Sequence, residues 1–152
     1  MASNVRSEDT GIAGTVLPDT LSGMSESTQV FFPTFRYRDA RAAIDWLVEA
    51  LGFEVGTIVD GEGDRDVAHA QLTLGSGTIM LGSESSSADK WGPHAGQGWV
   101  YVAIEDPDAL YERAKAAGAE VVMAPMDTDY GSRDFAIRDP EGNLWNFGTY
   151  RP

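Results

Sequence analysis

Apolar and polar residues alternate on both sides of Asp139–Gly142. Phe135 and Ile137 precede that tetrapeptide, and Leu144, Trp145 and Phe147 follow it. Asp, Pro and Gly at its first, second and fourth corners predict a tight turn, because Pro presets φ and Gly accepts the closing corner. The stretch Tyr130–Tyr150 therefore reads as a β-hairpin. His69–Gly82 has the same form around the turn Gly75–Gly77. Subtracting 66 from Gly148 gives Gly82, and from Ala136 gives Ala70.

Earlier patterns complete the order of elements. Val30–Arg38 alternates as a strand, with Pro33 marking an edge or a strand start. Asp39 suits a helix N-cap, and Ile44, Leu47, Val48 and Leu51 fall on one helical face closed by Gly52. Phe53–Asp60 predicts a second strand, and the hairpin strands follow it. After the polar connector 84–96, Trp99–Glu105 predicts a strand. Asp106 and Pro107 open a helix with Leu110, Ala114 and Ala117 on one stripe, ended by Gly118. A strand over 119–125 and the terminal hairpin follow. The same 66-residue offset carries Gly118 to Gly52, Glu120 to Glu54 and Val121 to Val55. The chain is one β-α-β-β-β motif written twice.

Each copy predicts a four-stranded sheet with a helix on one face. Two copies side by side curve around a shared cleft, so the fold class is α+β: two tandem modules, 29–83 and 97–150, with helices outside. Strand alternation sends Ala68, Ala70, Leu72 and Leu74, Val100, Val102 and Ile104, and Trp145 and Phe147 to the helices. It sends Phe32, Thr34, Arg36, His69, Gln71, Thr73, Trp99, Tyr101, Leu144 and Asn146 to the hollow. Broad aromatic faces with a few directed polar groups are the composition of a ligand pocket.

Composition narrows the partners. The 152 residues suffice for one domain with a real core, and residues 1–28 read as a flexible polar leader. No apolar run approaches the roughly 20 residues that span a bilayer, and no signal peptide is apparent. A cytoplasmic location is expected. With no cysteine, disulfide and thiol chemistry are excluded. The net charge of −13, from 24 acidic and 11 basic residues, repels nucleic acid and anionic membranes. It suits a cationic ligand, and equally it keeps a small protein soluble.

Three stretches carry a family resemblance: RYRDARAAIDWLVEALGFE, GWVYVAIEDPDALYERAKAAGAEV and, most specifically, FAIRDPEGNLWNFGT. Over residues 30–150 the chain resembles the vicinal oxygen chelate superfamily of glyoxalase I, extradiol dioxygenases, and fosfomycin and bleomycin resistance proteins. The resemblance implies paired β-α-β-β-β modules and a homodimer. Metal-dependent members hold their ion on four strands, and those positions here are Phe32, Gln71, Trp99 and Asn146. Two rings and two neutral amides do not offset the dehydration of a divalent ion. The expectation is no metal, no cofactor and no catalytic residue.

The chain is then closest in character to metal-free, bleomycin-resistance-like binding proteins, which sequester a small aromatic or cationic compound such as an antibiotic. The ligand-binding set expected is Phe32, Arg36, His69, Gln71, Trp91, Trp99, Tyr101 and Asn146, with Trp91 closing over the cleft. His69 reads as a base or ligand contact, or as a wall residue bonded to a neighbour. Trp46 reads as a dimer contact or as a partly exposed ring. Arg133 reads as a cleft cation or as a partner of nearby carboxylates. His94 is a loop residue, and Asp60, Glu62, Asp64 and Asp66 form a solvated acidic turn. Two alternatives stand beside this reading: a lyase or dioxygenase with displaced metal ligands, and a non-catalytic dimeric module with a filled cleft.

Overall fold

The computed structural model describes residues 28–86 and 94–152. The first module runs β1 (Thr34–Tyr37), α1 (Ala40–Leu51), β2 (Glu54–Asp60), β3 (Val67–Leu74) and β4 (Gly77–Ser83). The second runs β5 (Trp99–Ala103), α2 (Pro107–Ala116), β6 (Glu120–Asp127), β7 (Arg133–Arg138) and β8 (Leu144–Gly148). Each forms a four-stranded mixed sheet, ordered β1-β4-β3-β2 and β5-β8-β7-β6. The α+β duplication is the fold observed.

Local chemistry sets the helix ends. Asp39 accepts from the Ala42 N–H at 3.1 Å, and Gly52 closes α1 in the left-handed region at φ 77°. Asp106 caps α2 through Ala109 N–H, with Pro107 in the first turn. The buried stripe of α1 is Ala40, Ala43, Ile44, Leu47, Ala50 and Leu51. It centres on Leu47 with alanines to either side, which lets the helix sit close to the sheet and leaves Val48 exposed at the margin.

Two strand expectations are corrected. Val30–Pro33 is not sheet, and β1 begins only at Thr34. Pro33 has no N–H to give, although its carbonyl accepts from Met80 N–H. Gln29 substitutes a side-chain amide for the ladder, bonding Thr78 N–H at 2.6 Å and Thr78 C=O at 2.8 Å. Further along, an irregularity between Val59 and Asp60 shifts the β2–β3 register. Ala68 consequently faces solvent and Val67 takes the buried place.

The two modules close one core within the chain. Trp145 of β8 stacks on Phe35 of β1 at 5.0 Å and receives the edge of Phe53 at 5.7 Å. The turn before β8 supplies the latch. Asp139 is 4% exposed and accepts from Tyr37 Oη at 2.7 Å, Asn143 Nδ2 at 2.9 Å and Trp145 Nε1 at 3.1 Å. Glu141 in the same turn accepts from the backbone N–H of Arg38 and Asp39. Trp46 packs half-buried against this core beside Ala117–Glu120 and Arg138–Pro140. Within the chain it makes an inter-module contact. Among the described residues no helix is long and apolar enough to cross a membrane.

Candidate functional site

Strand registers place the hollow residues. On the first sheet Thr34 lies opposite Met80 and Met80 opposite Gln71, while Arg36 lies opposite Gly82. On the second, Tyr101 pairs with Asn146, and Asn146 with Ala136. Their neighbours Phe35, Leu72, Leu81, Phe135, Ile137, Trp145 and Phe147 are all in the core, so these residues face the other way. The edge strands β1 and β5 meet along a seam. A Cβ on Gly98 would collide with the Phe35 ring, so β1 abuts β5 there.

Trp99 stands on the hollow side of that seam, 74% exposed, and Phe32 is 38% exposed. Neither ring is in the core. Tyr101 donates its hydroxyl to the Tyr150 carbonyl at 2.8 Å. Arg36 is half-buried, with its guanidinium across Gly82: Nη1 lies 2.5 Å from where a Cβ would stand. Only glycine leaves that berth. His69 and Gln71, two residues apart on β3, contact each other through their Nε2 atoms at 3.1 Å. Trp91 lies outside the described residues.

A cavity of about 310 Å³ opens where the seam diverges. Phe31, Phe53, Ile79, Val100, Val102 and Tyr101 are among its walls, with Arg151 at its rim. Of the expected set only Tyr101 lines it. The truncation of β1 at Thr34 creates this space, and the one signal of that in the sequence is Pro33.

At the rim of the second module Asp134 is buried, accepting from Ser132 Oγ and, at 3.0 Å, from Tyr130 Oη. The hydrogen bond to Asp134, then burial, raises the Tyr130 hydroxyl above its ordinary pKa. Ser132 Oγ also accepts from Tyr150 N–H, so this cluster ties down the chain end. Arg133 pairs with Asp108 at 2.7 Å and Asp127 at 3.1 Å, which holds Asp108 below the usual carboxylate range. It is a partner of surface carboxylates and no cleft cation. His94 contacts Glu84 at 3.3 Å. Of the acidic turn, Asp60 pairs with Arg41, and Asp66 accepts from Ser85 Oγ at 2.7 Å.

The residue range of the modules, their order and their seam agree with one family. The model of the Glyoxalase/Bleomycin resistance protein/Dioxygenase superfamily matches residues 30–147. The chain belongs to that superfamily. An uncharacterized protein of Mycobacterium tuberculosis is 32% identical over 119 residues, covering 72% of this chain and 68% of its own length. The anthracycline biosynthesis protein DnrV of Streptomyces peucetius is 42% identical over 53 residues, which are 33% of this chain and 19% of that protein. Among solved structures, TioX from Micromonospora sp. ML1 superposes with a TM-score of 0.70 at 29% identity, covering 81% of this chain and 99% of that one. A glyoxalase I mutant from Zea mays shares the fold at TM-score 0.62 and 20% identity.

Superfamily membership raises the question of a metal, and the donor set answers it. The four ligand positions hold Phe32, Gln71, Trp99 and Asn146. Phe32 and Trp99 have no usable lone pair, and Gln71 is exposed and engaged with His69. Asn146 Oδ1 is buried without a hydrogen-bond partner among the described residues, but one neutral amide oxygen does not replace a divalent ion's water shell. Among the described residues no group of three His, Cys, Asp or Glu is placed to hold an ion. These residues do not fit the family's metal. What they offer is an unmet acceptor on an aromatic floor.

Proposed function

We propose that this superfamily member is a metal-free binding protein for a planar aromatic small molecule, held between the two sheets. The carrying observation is the exposed Trp99 ring on β5, two residues from Tyr101, whose cross-strand partner Asn146 has a buried Oδ1 without a hydrogen-bond partner among the described residues. A large apolar ring left in water at the mouth of a concave surface gains free energy when a flat ligand covers it. The orphan acceptor adds direction, since a ligand N–H or O–H that reaches it removes the cost of a buried, unmet group. The local match to an anthracycline biosynthesis protein supports a flat polycyclic ligand of antibiotic type. No catalytic group or cofactor belongs to this reading.

A homodimer is part of the proposal. Val55, Val59, Val121, Val122 and Met126 are exposed on the outer strands β2 and β6, an apolar margin suited to a second copy. Light scattering at micromolar concentration tests it, and a strictly monomeric mass counts against it. Binding is tested by titrating the protein with a panel of neutral, anionic and cationic planar polycyclic compounds, following tryptophan fluorescence. Saturable quenching that is lost in Trp99→Phe is expected. A panel without any saturable response refutes the reading.

A further inference from the structure

Among the described residues every lysine and arginine finds an acceptor except two, Arg36 and Arg151. Arg41, Arg65, Lys115 and Arg133 pair with carboxylates, and Arg38 stands 4.0 Å from Glu84. Arg113 and Arg138 bond backbone carbonyls. Arg151 is at the surface, where water serves it. Arg36 is half-buried on the hollow floor, in a chain whose acids outnumber its bases by 24 to 11. A guanidinium partly removed from water and left unpaired, amid so many available carboxylates, is held away from them by its setting. The berth over Gly82 seats it, with Nη1 where a side chain at position 82 would otherwise stand.

The other half of the arrangement is Trp99. Phe35 and Gly98 touch across the seam on the core side. Arg36 follows Phe35 and Trp99 follows Gly98, and both turn to the opposite side. The free indole therefore stands on β5, and the free guanidinium reaches from β1 over Gly82 of β4, one strand in from the seam, so a flat ligand lying across β1 would meet both. Neither is spent on the other: among the described residues the one cation seated over a ring is Lys115 on Tyr111. The hollow's buried carboxylate, Asp134, is already engaged by Ser132 and Tyr130.

We propose that this floor selects planar aromatic acids, with Arg36 taking the carboxylate or sulfonate and Trp99 stacking on the ring. The inference rests on the binding-protein reading above and reverses the cationic ligand expected from net charge. Net charge is a long-range property, screened beyond about 8 Å at physiological salt. A ligand in contact with the floor responds to the guanidinium within hydrogen-bond distance, where a charge-assisted, forked contact is strong. A cationic ligand there would face an uncompensated positive charge.

Three fluorescent probes test the inference. 8-Anilinonaphthalene-1-sulfonate carries the acid, N-phenyl-1-naphthylamine is the same ring system without it, and proflavine is a flat cation. The sulfonate is expected to bind at least tenfold more tightly than the neutral amine. Arg36→Met should weaken the sulfonate about ten- to hundredfold and leave the neutral probe unchanged, and Arg36→Lys should retain part of the preference. Trp99→Ala should weaken both naphthyl probes together. Equal affinities in the wild type, a preference that survives Arg36→Met, or proflavine as the tightest probe overturns the inference while leaving the binding-protein reading standing. Failure of all three probes overturns both. Should Arg36→Met not fold by near-ultraviolet circular dichroism, the wild-type ranking and Arg36→Lys still decide.

Discussion

Replacing Asp139 by Asn tests whether one carboxylate holds the modules together. Oδ2 of Asp139 receives three side-chain donors, from Tyr37, Asn143 and Trp145. Oδ1 receives two backbone donors, from Glu141 at 3.0 Å and Asn143 at 3.1 Å. All five converge in a buried place, and Asn keeps only one oxygen. In its better orientation the amide retains the three side-chain donors and turns its own N–H groups against the two backbone ones. Two buried donors without an acceptor cost about 1–3 kcal/mol each, and the three remaining bonds lose their charge assistance. A destabilisation of about 3–5 kcal/mol is expected, a large part of the 5–15 kcal/mol typical of a domain. Urea unfolding measures it: with a slope of about 2 kcal/mol/M, the midpoint falls by roughly 2 M. A midpoint within about 0.3 M of the wild type, at unchanged slope, would show that the latch is not what aligns the modules.

Burial, then the adjacent Asp139 charge, pushes the Tyr37 hydroxyl far above its ordinary pKa. The unfolded tyrosine ionises near pH 10 and the folded one does not, so this stability term is intact below pH 10. It then falls by about 1.4 kcal/mol per pH unit above it. Tyr37→Phe should remove that alkaline slope, and an identical slope in the variant refutes the assignment. Trp99→Ala should leave the thermal midpoint within about 2 °C of the wild type, because the ring is mostly in water; a larger drop places it in a core. Incubation with Ni²⁺, Zn²⁺, Fe²⁺ or Mn²⁺ followed by desalting should leave no stoichiometric ion and no shift in melting, whereas a bound equivalent would overturn the donor-set argument. Gly52→Ala forces a side chain into the left-handed region at φ 77° and toward Arg113 Nη1, 3.0 Å away, and should cost about 1 kcal/mol in chemical denaturation.

Alternation placed the hollow faces correctly wherever a strand was regular, because a period of two leaves no choice once one face is apolar. Trp145, Phe147, Phe135 and Leu72 reached the core for that reason. The same logic failed at Ala68, where a bulge on the edge pair slips the parity, and bulges have no compositional signature in that stretch. It also extended the first strand through Val30–Pro33, where the apolar residues instead border a cavity. Asp139 was legible as a turn residue and nothing more. Its role as hub depends on Tyr37, more than a hundred positions away, and single-chain patterns carry no such pairing. Arg133 resolved to the blander of its two readings, paired with acids, and Trp46 packs half-buried at the contact between modules, which the helical pattern of one segment does not encode.

The duplication explains why the floor has the polarity proposed for it. Gly82 and Gly148, 66 residues apart, occupy the same place in the two copies, each on the last strand with its bare Cα toward the hollow. Each lets a charged side chain lie across it: Arg36 over Gly82, and Asp134 over Gly148. In the second copy that charge is consumed, since Asp134 holds Ser132 and Tyr130 and through them the chain end. In the first copy nothing among the described residues consumes it. Two equivalent berths have diverged, one into a structural tie and one into an open guanidinium. Exchanging the roles should be visible: Asp134→Asn is expected to loosen residues 149–152 to proteolysis while leaving the sulfonate probe's affinity unchanged. Arg36→Met is expected to do the reverse. Loss of probe affinity in Asp134→Asn with an intact chain end would mean that the two berths serve one ligand, and that the division of labour between the copies is wrong.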